Sequence, residues 1–186
     1  MRVFWSVLEL MLGTMLATTS AHACATFAEM DLRDIKYANV VVVGQIANYE
    51  IVLDPVIRQR YRDMIAGNPK LRETLGNPKS FTTDYARFDI RVGEVLHGEA
   101  PERLTVTWDN STFAEPANIG PGPFLIALRD PNSPVPPLRG PSATIMPNPA
   151  PAALTVLQAP CAGPFMFEAT SKEAGVVRRM LSEQAK

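Results

Sequence analysis

The stretch from Thr82 to Trp108 limits the folds open to this chain more than any other. Ala86, Phe88, Ile90 and Val92 alternate with Arg87, Asp89 and Arg91, the period-two pattern of a strand with one buried and one wet face. Gly93 interrupts the alternation ahead of Val95 and Leu96, which predicts a bulge that bends the strand. His97-Gly98-Glu99-Ala100-Pro101 supplies a turn, after which Leu104, Val106 and Trp108 alternate with Thr105 and Thr107. A bent hairpin of this kind seeds a small closed barrel.

The other elements fit that seed. Ala38 to Ile46 holds four consecutive valines, Val40 to Val43, and then Gly44; continuous β-branched residues predict a strand covered on both faces, or one that crosses from the interior to an interface. Phe27 to Tyr37 reads as a lead-in with at most one helical turn. Phe124 to Leu128 reads as a short buried strand. Ala153 to Gln158 reads as a last strand, with Leu154 and Val156 on one face and Leu157 on the other. Thr170-Ser171-Lys172-Glu173 spells a capping box. Beyond it Ala174, Val177, Met180 and Leu181 make the apolar stripe of a closing helix, and Arg178 and Arg179 fall where the helix dipole favours positive charge. The fold class is therefore mainly β with flanking helices. We expect a five-stranded OB-like closed barrel, a helical insertion at about 54–76 and a C-terminal helix.

The insertion is marked by its ends. Asp54-Pro55 offers an N-cap and a proline at the first helical position, Gly67 a stop, and Asn68-Pro69 and Gly76 repeat the punctuation. From Asp54 to Lys79 six basic residues (Arg58, Arg60, Arg62, Lys70, Arg72, Lys79) accompany three acidic ones (Asp54, Asp63, Glu73), an excess that more often solvates an insertion than forms a docking face for an acidic partner. Eleven of the 17 prolines lie between Pro116 and Pro151, so Asp130 to Pro151 reads as a stiff, irregular surface excursion.

Arg2, the apolar run Val3 to Ala17, and Ala21-His22-Ala23 form a secretory signal over residues 1–23, cleaved after Ala23. The single domain is then 24–186, exported to the periplasm or beyond. The run is too short to span a membrane and no later stretch approaches the length needed. The formal net charge of −1 gives no electrostatic case for nucleic acid or a membrane surface. Both cysteines, Cys24 and Cys161, follow the cleavage point, and in an exported protein two cysteines are most economically one disulfide. It is worth ~5 kcal/mol in the chain-entropy picture. A cysteine directly after cleavage also invites a lipid anchor. Plain secretion is preferred because Ala21 and His22 stand where a lipobox carries an aliphatic residue.

No catalytic constellation emerges. His97 is the one histidine of residues 24–186, and it sits in a turn with no Gly-x-Ser-x-Gly elbow to serve. A small hydrolase built on His97 remains the weakest reading. One histidine and two paired cysteines do not make a zinc set, so no metal or cofactor is expected. Glu94, Glu99, Glu102 and Asp109 flank the turn without a readable glycosidase spacing. Trp108 and Phe113 belong to a barrel rim, with core packing the commoner fate of such aromatics. Asn110-Ser111-Thr112 is a glycosylation sequon.

With these residues assembled, the chain resembles the tissue inhibitors of metalloproteinases and the wider netrin-like modules, which are OB-fold barrels. The matching pieces are Cys24 and Tyr37-Ala38-Asn39-Val40-Val41-Val42-Val43-Gly44, then Tyr85-Ala86-Arg87-Phe88-Asp89-Ile90 leading to Val95-Leu96-His97-Gly98. Leu104-Thr105-Val106, Gly122-Pro123-Phe124-Leu125-Ile126-Ala127, Cys161 and the closing helix continue the order. The resemblance implies that the α-amine and carbonyl of Cys24 chelate the catalytic zinc of a target metalloprotease, with Ala25 and Thr26 entering its cleft. The family's opening Cys-x-Cys and its Cys-Gly pair near Ser111 to Phe113 have no counterpart here. The leading expectation is therefore an exported, non-enzymatic binding module with a protein partner, and inhibition through Cys24 is the alternative.

Overall fold

The computed structural model describes residues 28–53, 59, 62, 63, 65–67, 69, 70, 85–108, 116–137, 150, 152–160 and 162–184. Residues 1–23, Cys24, Ala25, Thr26 and Cys161, and Phe113 with the Asn110-Ser111-Thr112 stretch lie outside the described residues. Strands β1 (Val40–Val52), β2 (Tyr85–His97), β3 (Arg103–Trp108), β4 (Phe124–Arg129) and β5 (Thr155–Val156) run in the spatial order β1-β2-β3-β5-β4. β4 pairs back onto β1 from Val40↔Leu128 to Gly44↔Phe124, which closes a five-stranded barrel. The pairing of β3 with β5 is parallel and the others in the barrel are antiparallel. An extra strand, β6 (Met166–Glu168), adds to β4, and helix α1 (Lys172–Gln184) follows it.

The valine run explains why the barrel has two cores. Side chains alternate across a strand, so Val40 and Val42 point into the barrel with Ile46, Phe88, Ile90, Val106, Trp108, Ile126 and Leu128. Val41 and Val43 point outward, into a second cluster with Ile35, Leu125, Ala127, Leu157, Phe165, Ala174, Val177 and Leu181. That cluster is roofed by α1 and by a 3₁₀ helix, Leu32–Tyr37. Burial of both faces is what an uninterrupted apolar strand requires.

The bulge falls at the predicted place. Val43 pairs with Glu94 and Gly44 with Val92, so Gly93 has no counterpart on β1. Beside it the two chains run very close: a Cβ on Gly44 would stand 2.5 Å from the Arg91 carbonyl oxygen and 2.6 Å from Ile90 Cγ2. Past this bend β2 leaves β3, with which its ladder ends at Arg91↔Arg103 and the bond from Val92 N–H to the Glu102 carbonyl. Gly98 makes the turn at φ +72, with the Asn39 carbonyl where a Cβ would go, a conformation and a fit that require glycine.

Several boundaries differ from the sequence reading. β1 continues beyond Ile46 to Val52, because Tyr49 and Ile51 carry the apolar face onward. A register shift between Ala47 and Glu50, with Asn48 at φ 53, stretches one step of the alternation and hides the continuation. The lead-in forms a six-residue 3₁₀ helix rather than one turn, its N-cap Asp31 accepting from Arg33 N–H at 2.9 Å. β6 was not expected, being only three residues long with Pro164 just before it. The cap of α1 is Ser171, whose Oγ accepts from Ala174 N–H at 3.1 Å, one residue later than a Thr170–Glu173 box would place it. Arg178 serves β2 rather than the helix end, as described below. In the insertion Gln59, Arg62, Asp63, Ile65 and Ala66 are helical, Gly67 is in a turn and Pro69 and Lys70 are helical again. The Gln59 amide donates to Asp63 Oδ1 at 2.8 Å, an i,i+4 helical contact. Residues 130–137 of the proline-rich stretch form turn and irregular chain; 138–149 and 151 lie outside the described residues.

Candidate interaction surface

The outer wall of the barrel has two halves, and β1 and β2 contribute to both. Over the first half α1 covers the outward apolar side chains, and it is clasped there by one ion pair. The Arg178 guanidinium donates from Nη1 and Nη2 to Glu94 Oε1 and Oε2 at 2.9 and 2.7 Å, a two-pronged fit. These hydrogen bonds hold the Glu94 carboxyl below the usual carboxylate range. With the two side chains 35% and 48% exposed, the pair fixes α1 in place more than it stabilises the fold.

Over the second half no helix among the described residues covers the outward side chains of β1, β2 and β3, and of these only Thr107, beside Leu154, is buried. The ladders set them in rows. Glu50 stands opposite Arg87, which stands opposite Thr107; Ala47 opposite Asp89, opposite Thr105; Gln45 opposite Arg91, opposite Arg103. In the first row Arg87 donates from Nε and Nη2 to Glu50 Oε1 at 2.8 and 2.6 Å. In the second, Thr105 Oγ1 donates to Asp89 Oδ1 at 2.6 Å and Asn48 Nδ2 donates to Oδ2 at 2.7 Å. The Thr105 bond, then the Asn48 bond, lower the Asp89 carboxyl below its ordinary value, with Arg103 adding a smaller through-space pull. The third row has no such bond: no hydrogen bond or ion pair engages the guanidinium of Arg91 or of Arg103 among the described residues. The face is thus an open polar surface whose side chains are held in place at two rows of three.

The residues singled out from sequence are dispersed. His97 is the last residue of β2 and is exposed. Trp108 is buried in the barrel, its indole N–H donating to Gln158 Oε1 at 2.8 Å. Glu99 and Glu102 are exposed in the β2–β3 connection. No group of three or more His, Cys, Asp or Glu among the described residues is arranged to hold a metal ion. A depression of about 390 Å³ is lined by Glu29 to Arg33, and one of about 420 Å³ by Gly120 to Phe124 with Glu168 and Thr170. Among the described residues, no histidine, cysteine or lysine lines either of them. No helix among the described residues is long and apolar enough to cross a membrane.

Sequence reasoning found the alternation that makes this face and missed the face itself. Arg87, Asp89, Arg91 and Thr105 were visible as the wet side of a hairpin. Which of them meet, and that Gln45, Asn48 and Glu50 join them, depends on the β1–β2 register, which the shift at Ala47 displaces. Comparison with protein-family models, curated proteins and solved structures finds no match for this chain.

Proposed function

We propose that this chain is an exported, non-enzymatic binding module whose protein partner seats on the outer face of β1, β2 and β3. The observation that carries the reading is the contrast within single strands: β1 and β2 hide apolar residues under α1 at one end and present an ordered polar array at the other. Side chains pinned by one another lose little freedom when a partner arrives. The barrel interior, filled by Phe88, Ile90, Trp108 and their neighbours, favours a surface function over an enclosed ligand site. Photo-crosslinkers placed at Ala47, on the face, and at Arg179, on the outer side of α1, test this in the exporting cell. A discrete protein adduct from Ala47 and none from Arg179 is expected; adducts from Arg179 alone, or from neither position, overturn it.

A second reading, metalloprotease inhibition through Cys24, has one specific support. Met30 Cε lies 3.2 Å from where a Cβ of Gly163 would be. The chain six residues after Cys24 therefore meets the chain two residues after Cys161, and six residues reach roughly 20 Å. A Cys24–Cys161 disulfide that tethers a free N-terminal amine is within that reach. Acetylating the amine, or adding one residue before Cys24, should abolish inhibition of a zinc protease, and unchanged inhibition removes the reading. The intact mass of the exported protein separates the fates of Cys24. A mass of residues 24–186 that gains two hydrogens on reduction supports the disulfide, and a mass raised by acyl chains replaces it with a lipid anchor.

A further inference from the structure

The third row of the bare face differs from its neighbours in a way that names a partner chemistry. Arg91 and Arg103 stand directly opposite each other across the β2–β3 ladder and both are exposed. Directly paired strand residues have Cα atoms about 4.5–5.5 Å apart, and like charges so placed repel. Every carboxylate that shares the outward side of these strands is committed elsewhere. Asp89 spends both oxygens on Thr105 and Asn48, Glu50 is held by Arg87, and Glu94 by Arg178. Gln45 extends the row on β1 with an amide that can donate. Two guanidiniums and an amide in one line have no hydrogen-bond acceptor among the described residues, and the through-space pull of Arg103 on Asp89 is the one attraction offsetting them there.

We infer that Gln45, Arg91 and Arg103 form the docking point for a carboxylate-rich segment of the protein partner. The inference rests on the reading of the face as a binding surface and deepens it. A paired guanidinium site fits a planar carboxylate two-pronged. The openness of the face decides what carries that carboxylate. Exposed ion pairs are worth ~0–1 kcal/mol each, too little to retain a small anion alone, whereas within a larger interface they set orientation and speed encounter. A nucleic acid engages many phosphates at once, and two unengaged cations in a chain of formal net charge −1 do not supply that. An acidic protein segment needs only what the row offers.

The test titrates the isotope-labelled full chain with a glutamate-rich peptide, following backbone amides and arginine Nε–H signals by NMR, with inorganic phosphate and a single-stranded oligonucleotide as parallel probes. Shifts centred on Gln45, Arg91 and Arg103 with the peptide are expected. Affinity should fall roughly 2–5-fold for Arg91→Ala and for Arg103→Ala, and should collapse at about 1 M salt, where screening acts within ~3 Å. Shifts centred on the basic insertion, equal affinity in the double variant, or tighter binding of phosphate or the oligonucleotide overturn the inference. The Ala47 crosslink in an Arg91→Ala, Arg103→Ala background separates the two levels of the argument. An adduct retained there at full yield leaves the face in place and removes the arginine row; loss of the adduct supports both; an adduct absent already with Arg91 and Arg103 intact removes the face reading.

Discussion

The helix-covered and bare halves of the barrel wall share strands β1 and β2, the first half adding β4 and the second β3, yet they solve opposite problems. Where α1 roofs the wall, adjacent residues both belong to a core: Leu125 faces the helix and Ile126 the barrel, each with no exposed surface. Where nothing roofs it, Phe88 is buried while its neighbour Asp89 is held at the surface by Thr105 and Asn48. The difference shows that a strand's hydrophobic pattern records its coverage position by position. It also shows why the bare half is the part free to meet another molecule: its side chains contribute little to holding the barrel together.

Alanine substitutions break this contrast most sharply. Leu125→Ala and Ile126→Ala should each cost about 2–5 kcal/mol in urea unfolding, because both leave cavities. At the bare half Phe88→Ala should cost about 3–5 kcal/mol while Thr105→Ala stays within about 0.5 kcal/mol. Equal losses at both members of the second pair would erase the distinction. Gly44→Val tests the place where β1 crosses the bend of β2. A side chain there meets the Arg91 carbonyl, so a loss of about 1–3 kcal/mol is expected from overpacking.

Thr107 sharpens the boundary between the halves. It shares a row with Glu50 and Arg87, yet it is buried, its amide donating to the Leu154 carbonyl at 3.0 Å. Its hydroxyl has no hydrogen-bond partner among the described residues, and a buried polar group left unmatched costs about 1–3 kcal/mol. Thr107→Val should therefore raise stability by about 1 kcal/mol in thermal or urea unfolding, and a loss of that size would mean the hydroxyl is satisfied. The smallest effect belongs to the clasp. Arg178→Ala should cost ~0.2–1 kcal/mol near neutral pH. Because the folded-state value of Glu94 is lowered, its contribution is present above the ordinary carboxylate range, about pH 4–5, and is lost as pH falls through the lowered value. The Arg178→Ala chain should accordingly lose less stability on acidification than the parent chain, a difference that acid titration of unfolding reads directly.

How much of this was legible beforehand follows from the same contrast. The valine run disclosed a strand covered twice, the alternation from Ala86 to Val92 disclosed a half-wet strand, and Gly93 disclosed the bulge, because each is a local consequence of which faces are buried. The stripe of Ala174, Val177 and Leu181 likewise disclosed a helix needing a surface to cover, although not that Val41, Val43 and Leu96 on the barrel would supply it. Tyr49 and Ile51 were missed as strand residues because the irregular step at Asn48 breaks the period. β6 was missed because three residues carry no period at all. The candidate face was the least legible, since the β1 side of its rows exists only through pairings between residues some 40 positions apart, as in Asn48 to Asp89. The cap of α1 slipped by one residue because Thr170 and Ser171 offer the same hydroxyl chemistry to neighbouring frames.

The division of labour between the two halves is tested most directly by placing one bulky charged residue on each and reading the Ala47 crosslink. Thr105→Arg intrudes on the bare face, and Ser182→Arg adds the same side chain to the exposed side of α1. The account predicts that Thr105→Arg abolishes the partner adduct while Ser182→Arg leaves it at full yield, with both chains folded by circular dichroism. An adduct that survives Thr105→Arg, or that is lost only with Ser182→Arg, would contradict it.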